Sequence, residues 1–451
     1  MKSLRILAAI AIAVPATLAA QRAEPRNDRL TLTDYLEWEG VASPQLSPDG
    51  KSVIYSRTWI DKLNDKRMSS IHIMNVDGTK PRKLVDGSAP QWSPDGTRIA
   101  YVAEGEPNKT PQIFTRYMDA EGAVTQVTRL TSSPGNVRWS PDGKTLAFTT
   151  QVPNNTPQSR AESQLAQFRP RGANWTAAPR VVAALHYRQD QQGFLPDAVQ
   201  QLMVVPADGG TPRQVTTGQW SAGAGQWTPD GKSLVYASGP RVPDAEYEWR
   251  ESEVYRVDVA SGTIAQLTHR RGPDNNPALS PDGRFIAYTG YDSTDDTWID
   301  SKLYLMNADG SGSKLLLDID RSPQNLTWAS DNSGVYFSAQ SEGSQNLYFV
   351  DLAGKHRKVT DGKYMLTVTD IHPSGLAVGT LTSPTQPGDV VSFNVKAPAK
   401  FTQLTDVNGD VLAGKKIATT EEIWYTSVDG LKIQGWIVKP PDFDPNKKYP
   451  L

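Results

Sequence analysis

Ser140-Pro141-Asp142-Gly143-Lys144-Thr145-Leu146-Ala147-Phe148 decides the fold, because the phrase that opens it recurs along the chain. Ser-Pro-Asp-Gly stands unchanged at Ser47–Gly50, Ser93–Gly96 and Ser280–Gly283, and with one replacement at Thr228–Gly231. Two worn copies follow, Ser330-Asp331-Asn332-Ser333-Gly334 and His372-Pro373-Ser374-Gly375. Counted at the first residue, the steps are 46, 47, 88, 52, 50 and 42. A recurring step of this size marks a repeat architecture.

Pro presets φ for a turn, Asp bonds the backbone ahead of it, and Gly accepts positive φ. The phrase is therefore a tight turn that launches a strand. The launched strands include Val53-Ile54-Tyr55, Ile99-Ala100-Tyr101, Leu146-Ala147-Phe148, Leu234-Val235-Tyr236 and Ile286-Ala287-Tyr288. Consecutive rather than alternating apolar residues fit a strand covered on both faces. A second strand pair follows each turn, around Asp77-Gly78, Asp208-Gly209, Ser261-Gly262, Asp309-Gly310 and Ala353-Gly354. Weaker versions lie at Glu121-Gly122 and Lys396-Ala397. Asp-Gly between apolar runs is a strong hairpin signal.

Turns and hairpins interleave one to one, so each unit holds about four strands, the content of a propeller blade. One blade cannot bury both its faces, so the units stack in a ring. The expected fold is all-β, a seven-bladed β-propeller over residues 41–410. The 88-residue step contains one turn and one hairpin, and reads as one blade with an insertion over residues 151–200. Such an insertion is a surface loop or a functional flap. Ser159 to Phe168 has helix-compatible composition, Val181 to Tyr187 reads as a strand, and Gln189 to Gly193 as a turn. Residues 21–40 form a lead-in, with a short helix or edge strand between Leu30 and Glu39.

Composition narrows the function classes. Lys plus Arg is 47 and Asp plus Glu is 49, a net charge of −2. There is no basic excess to hold a nucleic acid. Cys is absent, which excludes disulfides and thiolate metal sites. The five His, at positions 72, 186, 269, 356 and 372, lack metal-ligand spacing. No metal or cofactor is expected. Residues 1–20 read as a signal peptide: Lys2 and Arg5 open it, Ile6 to Val14 is its apolar core, and Leu18-Ala19-Ala20 precedes cleavage. The apolar run is short for a membrane span, although an uncleaved anchor is the alternative. Cleavage after Ala20 would make the protein secreted or periplasmic, with no stable membrane span.

From Glu421 the pattern changes. Ile423-Trp424-Tyr425-Thr426-Ser427-Val428-Asp429-Gly430-Leu431-Lys432-Ile433-Gln434-Gly435-Trp436-Ile437-Val438 is a hairpin with no preceding Ser-Pro-Asp-Gly, and Lys447-Lys448-Tyr449-Pro450-Leu451 follows. With the ring repeats, these stretches resemble the prolyl oligopeptidase family of serine peptidases. The likeness is to secreted bacterial members of the acylaminoacyl-peptidase and dipeptidyl-peptidase type. Leu185-His186-Tyr187-Arg188 with Gly193-Phe194 is similar to the third blade of those members. The repeat itself is shared with TolB-like and WD40-like propellers, so the hairpin is the more specific part. The resemblance implies that residues 411–451 begin an α/β-hydrolase domain. It also implies short peptide substrates and a Ser–His–Asp triad acting through an acyl-enzyme.

The triad nucleophile of such enzymes sits in Gly-x-Ser-x-Gly. No such pattern occurs in the 451 residues. The expectation is a propeller part that stops before the triad and does not hydrolyse peptides alone, so no catalytic residue is assigned. The alternative is a non-enzymatic, TolB-like periplasmic propeller that binds other proteins. The family also leaves room for a homo-oligomer.

Candidate substrate-binding residues are Glu246, Glu248, Arg250 and His186. Carboxylates in a shielded cavity can pair a peptide's ammonium group, although the family motif is not matched residue by residue and a solvated loop is the favoured reading of Glu246, Glu248 and Glu251. Asp292, Asp295, Asp296 and Asp300 form a second acidic loop, without Ca²⁺-loop spacing.

Overall fold

The computed structural model describes residues 28–154, 164–176, 181–182, 185–241, 247–248 and 250–450. The expected signal segment 1–20 lies outside them. Among the described residues, no helix is long and apolar enough to cross a membrane.

Seven consecutive four-stranded antiparallel units make up most of the chain. Blade 1 spans Gly40–Asp86, blade 2 Ser88–Gln126, blade 3 Gly135–Gln214 and blade 4 Gln226–Gln266. Blade 5 spans Asp274–Leu317, blade 6 Gln324–Lys358 and blade 7 Met365–Gln403. Blades 6 and 7 touch through one parallel pairing, Gln345 with Met365. In every blade the Ser-Pro-Asp-Gly turn, or its worn form, joins the first strand to the second. The Asp-Gly-type turn joins the third strand to the fourth.

The first residue of the phrase is the hub of its turn. Ser47 Oγ donates to Asp49 Oδ1 at 2.6 Å and accepts from Ser52 N at 2.9 Å. Asp49 Oδ1 also accepts from Lys51 N at 3.1 Å. Ser93, Ser140, Thr228 and Ser280 repeat the hydroxyl-to-Asp bond at 2.6 to 2.7 Å. These bonds favour the ionised carboxyl, so Asp49, Asp95, Asp142, Asp230 and Asp282 all sit below the ordinary carboxylate range. In blade 6 the frame differs from the sequence reading by one residue. Ala329, not Ser330, is the first turn residue, because Ala329 N bonds Gly334 O and Asn332 N bonds Ala329 O, each at 2.9 Å. Asn332, at φ +61°, takes the place of Gly.

Neighbouring turns also meet. A Cβ added at Gly96 would lie 3.4 Å from Pro48 Cδ, and one at Gly283 3.1 Å from Pro229 Cδ. The ring closes by the same face, where His372 Nε2 lies 3.2 Å from Pro48 O.

The launched strands are buried on both sides, as expected: Val53, Ile54, Ile99, Leu146, Leu234 and Ile286 are fully buried. Apolar clusters lie between blades as well as within them. Ala100 and Ile113 of blade 2 pack with Trp139, Leu146 and Phe148 of blade 3. Leu46, Val53 and Tyr55 of blade 1 pack with Val378, Val390 and Leu404 at the other end of the ring. No strand of blade 1 enters the sheet of blade 7 or the reverse, so this seam is closed by side-chain packing and by side-chain bonds to the backbone.

The insertion is narrower than expected. The second strand of blade 3 pairs with the third out to Pro153 with Ala198. Residues 164–167 are helical, and the earlier part of Ser159 to Phe168 lies outside the described residues. Val181 to Tyr187 is corrected: its described residues form no strand. Val181, Val182 and Leu185 are exposed, and none of the sheets of the described residues includes them. The pairing there is a two-residue ladder, Arg188–Gln189 with Gly193–Phe194. The lead-in forms one helical turn, Leu32–Tyr35, with Thr31 and Asp34 in a reciprocal capping box.

Candidate functional site

The first strand of each blade lines the middle of the ring, and most of these strands are bulged. Register slips fall at Ala42/Gln45, Ser88/Gln91, Asn275/Ala278, Gln324/Thr327 and Val368/Asp370. Ser43, Ala89, Asn136, Asn276 and Asn325 take positive φ of 51° to 52° there. A bulge bends its strand and re-aims side chains. Two cavities of about 520 and 600 Å³ occupy the middle, one against blades 1, 2, 3, 6 and 7, the other against blades 3 to 6. They share Arg138, Asn325 and Leu326, so together they form one channel with a common neck.

Two residues before each turn hub, one position links successive blades. Gln45 Oε1 accepts from Trp92 N at 2.8 Å, and Gln226 Oε1 from Leu279 N at 2.9 Å. The carbonyls of Gln91, Arg138 and Ala278 accept from the indoles of Trp139, Trp227 and Trp328 at 3.1, 3.3 and 2.8 Å. Asp370 Oδ2 accepts from Leu46 N at 2.9 Å and so bridges the seam. Burial pushes the Asp370 carboxyl up.

Arg138 is the cation in this series. Its side chain is exposed to the channel and donates to Val137 O at 3.1 Å. Among the described residues no carboxylate pairs with it. The surrounding protein lowers its pKa by desolvation, though a guanidinium stays charged.

Acids gather in the wall between blades 4 and 5. Thr268 Oγ1 donates to Glu253 Oε2 at 2.5 Å, and Glu251 Oε2 accepts from Gly272 N at 2.7 Å. Arg270 pairs with the fully buried Asp274, and with Asp292 at 3.0 Å. Burial pushes Glu253 up to about 7. It raises Asp274 as well, outweighing the attraction of Arg270.

The loops between second and third strands share one face, away from the turn hubs. This face carries the described residues of the insertion, the loop near 291–301, and Glu342-Gly343. The terminal hairpin, Thr419–Thr426 with Lys432–Lys439, packs here on blade 6. Gln434 Nε2 donates to Glu342 O at 3.3 Å, and Lys363 pairs with Glu422 at 2.6 Å. The Trp436 ring lies over Gly343, where an added Cβ would come within 2.3 Å. The lead-in is fastened nearby: Lys415 pairs with Asp34 at 2.8 Å and holds its carboxyl down to about 2. Arg29 and Lys416 both reach Asp442, at 3.0 and 3.1 Å.

Of the substrate-binding candidates singled out in the sequence, the described ones do not line the channel. Glu246 lies outside the described residues. Glu248 is exposed, and its carbonyl accepts from Glu251 N at 2.8 Å. Arg250 donates to the carbonyls of Thr294 and Asp296 at 3.1 and 2.8 Å, tying two loops together. His186 is exposed in the insertion. None of these three lines either cavity. In the second acidic loop, Asp292 is engaged by Arg270 and Asp300 by Ser322 Oγ at 2.8 Å. Sequence reasoning missed Arg138 and Glu253. Aligning the copies on the turn would have exposed Arg138, which stands where other blades carry Gln, Ala, Thr or Asp.

The family model of the TolB beta propeller domain matches residues 193–365. Dipeptidyl-peptidase 5 of Porphyromonas gingivalis is 25% identical over 441 residues, covering 94% of this chain and 62% of that protein. The peptidase YuxL of Bacillus subtilis is 25% identical over 448 residues, covering 94% of this chain and 65% of that protein. The acylaminoacyl peptidase of Pyrococcus horikoshii superposes with a TM-score of 0.71 at 21% identity, over 92% of this chain and 60% of that one. The chain is similar to these peptidases over most of its own length and spans less than two thirds of theirs. The propeller domain of the Pyrococcus furiosus Trilobed protease, described as having an open velcro topology, superposes with a TM-score of 0.57 at 17% identity, over 82% of this chain. That likeness supports the fold, and the seam here is likewise free of strand exchange.

Proposed function

We propose that this chain is the substrate-gating propeller of an exported serine peptidase. The peptidase cleaves short peptides as an oligopeptidase, dipeptidyl-peptidase or acylaminoacyl-peptidase, through a Ser–His–Asp triad outside these 451 residues. The observation that carries this reading is the hairpin Thr419–Lys439 seated on the loop face of blade 6. Its Trp424, Tyr425 and Leu431 stay exposed, at 49%, 56% and 62%. A free-standing propeller gains nothing from a two-stranded sheet with open edges and bare aromatics. A domain continuing from it would cover both and sit over the channel mouth. The relatives named as peptidases favour the same reading over a purely binding propeller.

The gate follows from size. Cavities of about 520 and 600 Å³ fall among small-molecule pockets of roughly 300–1,000 Å³. They admit an extended peptide and exclude a folded domain.

The test compares two proteins. The product of the whole reading frame encoding these residues should hydrolyse dipeptidyl or N-acetyl-aminoacyl aminocoumarins and be labelled by a fluorophosphonate. The 451 residues alone should do neither. A whole-frame product without turnover or label would defeat the proposal.

A further inference from the structure

We infer that Arg138, with Asn325 opposite it, forms an anion site at the neck of the propeller channel, and that it takes the C-terminal carboxylate of a peptide. The inference rests on the reading above, in that peptides are what reach this channel.

Three observations converge on Arg138. First, among the described lining residues of both cavities it is the one charged side chain. Acids adjoin the wall but are turned into it. Asp274 and Glu253 are buried among Arg270 and Thr268, and Asp370 is held by Leu46 N. Second, its blade-to-blade link is made by its backbone carbonyl, to Trp227. Gln45 and Gln226 spend their side chains on that link; Arg138 does not. One guanidinium N–H goes to Val137 O, and a guanidinium has five. Third, both cavities also share Asn325, from the blade facing blade 3 across the ring. The amides of Asn136 and Asn276 are committed to Thr149 and Thr289, each at 3.1 Å. Among the described residues, the Asn325 amide makes no side-chain hydrogen bond.

An uncompensated guanidinium between low-dielectric walls focuses positive potential along a channel. Its planar fork matches a carboxylate bidentately, and the Asn325 amide adds a neutral donor. The same charge repels a peptide ending in Lys or Arg.

The test uses the 451-residue chain and N-acetyl-tetra-alanine, as the free acid and as the C-terminal amide. Arginine side-chain NMR signals are followed during titration. The acid should bind roughly tenfold more tightly than the amide, as expected for a hydrogen bond between charged partners, and should move the Arg138 signal. The preference should shrink as salt rises. Arg138→Gln should abolish it with an unchanged melting temperature, and Arg138→Lys should keep part of it. Inorganic phosphate should compete more weakly than the peptide acid.

Equal binding of acid and amide, or a preference that survives Arg138→Gln, overturns the site. Phosphate binding as tightly as the peptide acid overturns its assignment to peptides. None of these measurements involves hydrolysis. They can fail while the peptidase reading stands, and the phosphate titration still reads Arg138 if that reading falls.

Discussion

Glu253 shows how one position serves different ends in different blades. Near the start of the third strand, Gln112, Gln201, Glu253 and Asn346 each accept from a buried Thr hydroxyl, and Asp389 accepts from Thr405. Three of the five are neutral. Glu253 and Asp389 are acids, and burial lifts Glu253 from the ordinary glutamate value of 4.5 to about 7. The folded state therefore holds this proton more tightly than the unfolded chain does. The contribution is fully present below pH 4.5 and is lost as pH rises through about 7. A shift of this size is worth on the order of 3 kcal/mol. Glu253→Gln installs the residue that blades 2 and 3 already use. In urea titrations, wild type should lose stability between pH 5 and pH 8, and the variant should lose clearly less. Asp274 and Asp370 are also raised by burial and keep their own share in both proteins. An equal decline in both would show that Glu253 is ionised in the folded state.

At the scale of the element, a blade is held by two local devices, of which only one was legible. The Ser-Pro-Asp-Gly turn could be read because its bonds lie within five residues. The second device is an apolar-Thr pair after the fourth strand, at Val127-Thr128, Val215-Thr216, Leu267-Thr268, Val359-Thr360 and Leu404-Thr405. Its partners lie 13 to 16 residues back, where no turn marks them. Thr216 Oγ1 accepts from Leu202 N at 2.9 Å and donates to Gln201 Oε1 at 2.6 Å, all buried. Thr216→Val keeps the shape and strands both partners, at a cost of roughly 1–3 kcal/mol. Thr216→Ser should recover most of it. Denaturation midpoints of the two variants decide the matter, and a neutral Thr216→Val would mean that the hydroxyl is dispensable. Val181 to Tyr187 reads as a strand, and its described residues form none, for a related reason. Apolar composition at Val181-Val182 promises burial only where a sheet edge is within reach.

For the whole molecule, the sequence repeat announces a ring but not how it is joined. Blade count followed from local turns. The joints depend on residues about fifty positions apart, such as Trp328 with Ala278 and Gln226 with Leu279. The channel's charge depends on all seven first strands at once, which is why Arg138 stands out only when the copies are compared, whereas the loop acids are conspicuous singly. The joint most exposed to failure is the seam between blades 7 and 1: like most joints between blades it has no ladder across it, and it alone joins blades that are not consecutive in the chain. There Asp370 Oδ2 accepts from Leu46 N at 2.9 Å, and Thr369 Oγ1 donates to Pro44 O at 2.5 Å. Asp370→Leu removes the acceptor and leaves Leu46 N–H without a partner, a loss of roughly 1–3 kcal/mol. Asp370→Asn keeps a carbonyl in place and should be mild. Because adjacent blades elsewhere keep their own links, the loss should appear locally. Hydrogen exchange should speed up in Gly40–Leu46 and Met365–Ile371 of the Leu variant, with protection in blades 3 to 5 unchanged. A uniform loss of protection would instead mean that the ring unfolds as one cooperative unit, with no seam distinct from its other joints.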